Sequence, residues 1–256
     1  MTMKDLDEII LKARDFINGT SLNVVHELKD LKIYEEPLVC IADAADPLFL
    51  QLKNPDVVGP HHMIPEEWLP GAQTVISYFL PFTTRVRESN YTEGDPSTEW
   101  LYARIEGQIC NNALCQYLLD EFVKNGVDAI APSLDKRFKV IEKRSNWSER
   151  HAAYIAGLGT FNLSKSLITQ KGCAGRFGSV IVNRKYEPTP RLYKDIYEYC
   201  NNCGACIDRC PPQAITAEGK DHTICSNFVD AVLKKYNPRY GCGKCQTDVP
   251  CEHCIP

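Results

Sequence analysis

An α/β protein in two parts is what this sequence predicts: a layered α/β domain over residues 1–190, then a small metal-nucleated module over residues 191–256. Three observations carry the prediction. Helical apolar periodicity alternates with short buried-strand patterns as far as Pro190. Beyond Pro190 the chain turns to Cys, Pro and Gly, with few residues to build an apolar core. Of the 13 cysteines, nine fall after residue 199: Cys200, Cys203, Cys206, Cys210, Cys225, Cys242, Cys245, Cys251 and Cys254.

The elements follow in order. Lys4–Asn18 places Leu6, Ile9, Ile10, Ala13, Phe16 and Ile17 on one helical face, with Gly19 as C-cap. Residues 37–41 and 74–80 are short apolar runs bounded by Pro or Gly, which predicts buried strands. The Pro-broken stretch 54–70 between them predicts loop with short helical turns. Residues 98–124 repeat apolar side chains every three or four positions, a long helix ended by Gly126. A strand is expected over 127–131. A short helix is expected over 147–158, with Asn146 as N-cap and Glu149 three residues on. Two further strands follow at 166–169 and 177–182, and a helix at 222–235.

Composition excludes several classes. With 44% apolar and 24% charged residues, the chain is neither disordered nor collagen-like. No apolar stretch approaches the ~18–20 residues of a membrane helix. The first residues carry acids where a signal peptide needs cations, so a cytoplasmic location without membrane attachment is expected. A formal net charge of −4 argues against nucleic acid as a partner. An odd number of cysteines without an export signal argues against a disulfide framework.

The run Cys200-Asn-Asn-Cys203-Gly-Ala-Cys206-Ile-Asp-Arg-Cys210-Pro211 has the bacterial ferredoxin spacing C-x2-C-x2-C-x3-C-P. Three thiolates at this spacing wrap one iron–sulfur cube, and the fourth points away to a second cluster. A second run holds Cys242, Cys245, Cys251 and Cys254, and Cys225 lies between the two runs. The expectation is a ferredoxin-like module with two 4Fe-4S clusters. Zinc would need four ligands in separated pairs and would leave part of so tight a run unused. Cys40, Cys110 and Cys115 are expected to be small core residues. Cys173, in a Gly-rich loop, admits a role near a cofactor.

About 190 residues precede the clusters, more than a plain ferredoxin needs. The segment Glu149-Arg-His-Ala-Ala-Tyr-Ile-Ala-Gly-Leu-Gly159, followed by residues 166–182 with Arg176-Phe-Gly-Ser-Val-Ile181, resembles the cobalamin-binding core of epoxyqueuosine reductases and reductive dehalogenases. Leu69-Pro-Gly-Ala-Gln-Thr-Val-Ile76 and Tyr102-Ala-Arg104 look similar as well, so the resemblance spans roughly residues 65–256. It implies a cobalamin-binding α/β domain, with cofactor contacts at Gly157, Gly159, Gly175, Arg176, Phe177 and Gly178. Glycines there would leave bare backbone for a macrocycle. The resemblance also implies the ligand division: Cys200, Cys203 and Cys206 with a returning cysteine for one cluster, and Cys210, Cys225, Cys242 and Cys245 for the other. Cys251 is favoured as the return ligand, with Cys254 as the alternative. No D-x-H-x-x-G occurs, so cobalamin is expected base-off without a histidine ligand.

Two departures limit the resemblance. Epoxyqueuosine reductases carry a proton-donating Asp before the Ala-Gly-Leu-Gly helix, whereas this chain has Lys143 nearest that position, so no catalytic residue is assigned. Their tRNA-contacting helical repeats and the twin-Arg leader of respiratory dehalogenases have no counterpart in the sequence, which ends at Pro256. Tyr102, Tyr154, Glu142 and Lys143 are open as proton donors. His61-His62 reads as loop surface, and the bases of 136–139 and 143–144 as a solvated face. The expected function is an iron–sulfur reductase passing electrons from an external ferredoxin or flavodoxin-type donor through two clusters to cobalamin, for reduction of a small organic substrate. The alternative is a non-catalytic electron carrier or reductive activator of another corrinoid protein.

Overall fold

The computed structural model describes residues 5–256. Helix α1 (Leu6–Gly19) starts at Asp5, whose carboxylate accepts from the Glu8 N–H at 3.0 Å. It buries Ile9, Ala13 and Ile17. The expected start at Lys4 lies outside the described residues. Gly19 is not the cap: it is the last helical residue, and Thr20, extended, ends the helix. Strands β1 (Leu38–Asp43) and β2 (Thr74–Pro81) form where the apolar runs predicted them. Between them lie turns and two short helices, Pro47–Gln51 and Pro65–Trp68.

Helix α2 (Thr98–Lys124) has the expected bounds, with the Ser97 hydroxyl accepting from the Trp100 N–H at 3.1 Å. Gly126, at φ 68°, turns the chain out of it. Strand β3 (Ala129–Ile130) is only a fragment of the expected strand. Helix α3 (Glu149–Ala156) begins after Ser148, not Asn146. The Asn146 amide instead ties the preceding loop, accepting from Lys139 N–H at 2.8 Å and donating to Arg137 carbonyl at 2.9 Å. The Glu149 carboxylate leaves the helix start to accept from the Ser179 hydroxyl at 2.6 Å. Gly157, at φ 96°, ends α3. Strands β4 (Gly159–Phe161) and β5 (Leu167–Thr169) then make a hairpin, of which β4 was not anticipated. Strand β6 (Gly175–Val182) and helix α4 (His222–Tyr236) complete the main elements.

The central sheet runs β1-β2-β6-β3, with every pairing antiparallel. All of β2 is buried, which explains its continuous apolar run: both faces are covered. Ile76, Tyr78, Leu80, Val180 and Val182 face α1 and α2. Val75 and Ile181 face α3 with Trp68 and Trp147. This is a layered α/β fold with helices on both sides of one sheet.

The cysteine-rich end is not packed on its own. Cys206, Cys210, Ile215, Val249 and Cys251 share a cluster with Ile168 and Cys173 from the hairpin side. Cys173 N–H donates to the Cys251 carbonyl at 2.9 Å, and Ala174 N–H to the Glu252 carbonyl at 3.1 Å. The buried pair Arg87–Glu252, at 3.0 Å, fastens the same seam. Among the described residues no helix is long and apolar enough to cross a membrane.

Candidate functional site

The first cysteine run folds as a loop into a one-turn helix, Ala205–Asp208, with Gly204 at φ 79° making the turn. The loop carries Cys200, Cys203 and Cys206 to one cavity, where Cys251 returns from the last run. Cys254 is not among that cavity's walls; its thiol reaches the Pro250 carbonyl at 3.7 Å. Cys210 points the other way, into a second cavity shared with Cys225 from α4 and with Cys242 and Cys245. The spacing thus puts four thiols around each of two spaces.

Each of the two spaces is bordered by four of these thiols. Among the described residues no group of three His, Cys, Asp or Glu is close enough to hold a single metal ion. A tetrahedral zinc ion needs its sulfurs about 2.3 Å from one centre. A cube with iron at four corners takes its thiolates from a wider ring. The donor set therefore fits two 4Fe-4S clusters, and soft thiolate is the ligand such clusters use. Burial pushes the Cys206 and Cys242 thiols up to about 12, so metal must displace tightly held protons there.

Cys173 lies against the first ring. Its sulfur is 3.8 Å from that of Cys251, and the Asn162 amide is 3.6 Å from the same atom. The Cys173 thiol lowers the Cys251 thiol, while that neighbour and then burial hold Cys173 itself well above its usual range. Cys110 and Cys115 are buried core residues on α2, and Cys40 is half-buried on β1.

Residues that sequence reasoning did not single out position the second ring. Buried Asn90 donates to the Cys242 carbonyl at 3.0 Å and to the Thr247 hydroxyl at 3.1 Å. The Asn90 carbonyl accepts from Lys244 Nζ at 3.1 Å and Arg209 at 3.0 Å. Gly243, at φ 71°, lies flat on the Trp100 ring, where a Cβ would fall 1.9 Å from a ring carbon. No sequence signal marks Asn90, which lies 119 to 157 positions before these partners.

The second cavity has a volume of about 310 Å³ and extends past the thiols to Trp100, Arg104, Arg176 and Tyr240. Here the expected corrin cradle needs correction. Of the six residues carried over from the resemblance, only Arg176 lines this cavity. Gly157 is a helix cap packed near the Pro190 carbonyl. A Cβ on Gly159 would lie 1.8 Å from the Ile168 carbonyl oxygen, on Gly175 2.2 Å from that of Leu80, and on Gly178 2.3 Å from the Tyr78 hydroxyl. Phe177 stacks on Phe79 with ring centroids 4.6 Å apart. These glycines make room for the protein's own strands. The macrocycle argument from bare backbone therefore fails, while the Arg-walled cavity still offers donors to a bound group.

Other expectations are corrected by packing. His62 is buried, 5.8 Å from Trp147, and is no loop surface. Of the basic stretch, Lys136, Lys139, Lys143 and Arg144 are exposed as expected; Arg137 departs, packing 5.0 Å over Trp68 and donating to its carbonyl at 2.9 Å, while Arg144 donates to the Pro55 carbonyl at 2.9 Å. Both bases tie the loop of residues 54–70. Glu142 and Lys143 form the exposed turn of a small hairpin. Neither they nor Tyr102 nor Tyr154 lines a cysteine cavity.

Comparison with known proteins gives three findings. Residues 193–216 match the family 4Fe-4S binding domain, which covers the first cysteine run. The chain is 25% identical over 254 residues to epoxyqueuosine reductase of Bacillus subtilis, covering 92% of this chain and 59% of that protein. It thus spans under two thirds of the length of that relative. Among solved structures, an epoxyqueuosine reductase with an epoxyqueuosine-modified tRNA stem loop superposes with a TM-score of 0.52 at 18% identity, over 96% of this chain and 64% of the other. A catabolic reductive dehalogenase superposes with a TM-score of 0.57 at 12% identity, over 84% of this chain and 30% of the other. A relative solved with a tRNA stem loop leaves the expectation of a small-molecule substrate without nucleic acid unsupported.

Proposed function

We propose, on the premise that this chain belongs to the epoxyqueuosine reductase and reductive dehalogenase-like superfamily, that it is an iron–sulfur oxidoreductase. Electrons would come from an external donor of ferredoxin or flavodoxin type; two 4Fe-4S clusters held by the chain's thiols would carry them, and a corrinoid beside the clusters would supply the chemistry for reducing an organic substrate. Cys200, Cys203, Cys206 and Cys251 would hold one cluster, and Cys210, Cys225, Cys242 and Cys245 the other. Bound clusters supply one-electron steps at potentials that extend to about −700 mV. A bound cobalamin would supply a low-valent metal for the reduction.

The observation that carries the reading is the shape of the second cavity. Its thiols and its Arg-walled extension are one continuous space, so a ligand there lies directly against a cluster. The protein's own groups prepare that space. Lys220 interacts with the Cys225 and Cys245 thiolates, and Arg150 with Cys245, placing cations where thiolate charge gathers. Trp100 and Phe228 wall the same space with apolar surface.

The second reading, a carrier or reductive activator without its own corrinoid, is favoured by one observation. The cavity's 310 Å³ is at the small end of ligand pockets, ~300–1,000 Å³, and takes only part of a macrocycle. Anaerobic reconstitution followed by equilibrium dialysis against cobalamin separates the two. Uptake of one cobalamin per iron-replete chain supports the reductase reading. Full iron with no uptake selects the carrier.

A further inference from the structure

The walls of the second cavity carry five cations, Arg104, Arg150, Arg176, Lys220 and Lys244, and no carboxylate. Three of the five have work within the protein. Lys220 and Arg150 face the cysteine sulfurs. Lys244 Nζ is turned to the Asn90 carbonyl and the Thr92 hydroxyl, both at 3.1 Å. Arg104 and Arg176 remain. Arg104 donates to the Tyr240 hydroxyl at 2.9 Å and lies 4.5 Å over that ring, a neutral partner. Arg176 has its Nε buried without a hydrogen-bond partner. The nearby acid on α2, Glu106, is taken up by Arg239 through two 2.6 Å contacts.

Two half-buried guanidinium groups on one cavity wall, each feeling the other's charge and with no carboxylate on that wall, are costly unless an anion joins them. The cost registers in Arg176: burial first, then the charge of Arg104, pulls it down to about 10. The buried Tyr34 hydroxyl lies beside Arg176, feels the charge of both arginines and adds a donor at the same place. Arginine forks suit planar carboxylate and phosphate oxygens.

We propose that Arg104 and Arg176 form a binding site for an oxyanion, a carboxylate or phosphate group, on the ligand that occupies the cavity. The inference rests on reading the cavity as the ligand space beside a cluster. The oxyanion has two possible sources: the substrate, or the phosphodiester of a bound cobalamin.

The experiment uses cluster-loaded full-length protein under anaerobic conditions, comparing wild type with Arg104→Gln, Arg176→Gln and Arg176→Lys. Iron and sulfide content confirms that each variant is loaded, and the Lys variant keeps the charge if the Gln variant fails to fold. Calorimetric titration is run with inorganic phosphate, benzoate, cobalamin, and cobinamide, which lacks the nucleotide phosphate. Phosphate or benzoate binding to wild type that falls at least tenfold in both Gln variants supports the site. Its persistence in the presence of cobalamin assigns the oxyanion to the substrate. Cobalamin binding that falls tenfold while cobinamide binding holds supports the site and assigns it to the corrinoid. Oxyanion binding with no corrinoid uptake keeps the site and sinks the corrinoid reading alone. No oxyanion or cobalamin binding to loaded wild type, or unchanged affinities in loaded Arg104→Gln and Arg176→Gln, overturns the proposal.

Discussion

The two ends of this chain are held together by different physics. In the sheet, β2 is buried over its whole length, and each large apolar side chain there contributes ~1.5–3 kcal/mol by leaving water. Helix α4 is 15 residues long yet buries only Val232, leaving Ile224 and Leu233 exposed at 43% and 38%. The cysteine-rich cluster is about half thiol, with Ile168, Ile215 and Val249 as its larger apolar members. The sheet region stores its stability in apolar contacts. On the cluster reading, the cysteine end depends on what its thiols bind, because folding and metal binding there would be one equilibrium.

Stripping the clusters with chelator and mild oxidant should therefore break the comparison open most widely. Hydrogen exchange should rise across residues 200–256 while the amides of β2 and β6 stay protected. Uniform loosening of both regions would show that the sheet also depends on the metal. Next in size, Cys245→Ser should lower iron from about eight to about four per chain, with the first ring's cluster kept. Loss of all iron would mean the two rings are not separable.

A smaller effect is expected where the two regions touch. Gly243→Ala adds a Cβ 1.9 Å from a Trp100 ring carbon at φ 71°. It should cost ~1–3 kcal/mol and weaken the second cluster first. Thermal unfolding monitored by Trp fluorescence and by cluster absorbance should show the absorbance loss leading.

Within the sheet region, Glu149 gives a pH handle. Burial pushes its carboxyl from 4.5 up to about 7. The folded state thus holds a proton the unfolded chain releases, so this group's contribution is fully present below 4.5 and lost as pH rises through about 7. The loss is at most ~3 kcal/mol. Burial pushes His62 and His151 from 6.5 down to about 4 and about 3, so they act oppositely, losing stability as pH falls below 6.5. Glu149→Gln should be the more stable protein at pH 8 in urea unfolding, and the gain should vanish near pH 4.5. An equal gain at both pH values would place the cause outside this carboxyl. The smallest effect is expected from Cys173→Ala, which removes a thiol beside Cys251 but no ligand. Iron content should stay at its wild-type value; a drop by half would make Cys173 a ligand.

The same contrast governs what could be read from the sequence. β1, β2, α2 and β6 were legible because burial on both faces, or a 3.6-residue period, writes itself into consecutive residues. The first cysteine run was legible because one short loop makes most of one ring. The pairing of Cys251 with that ring, and of Cys225 with Cys242, depends on distant segments meeting. So does the place of Cys173. Asn90 and the burial of His62 left no local trace for the same reason. The glycines were legible as glycines but not for their purpose: Gly159 and Gly175 yield to neighbouring backbone, which sequence alone does not distinguish from an approaching ligand.

The central claim is that two rings of four thiols each hold a 4Fe-4S cluster. Iron, acid-labile sulfide and zinc analysis of anaerobically purified protein tests it most directly. About eight irons and eight sulfides per chain are expected, with no zinc. A stable, folded preparation with one zinc and no sulfide would contradict it.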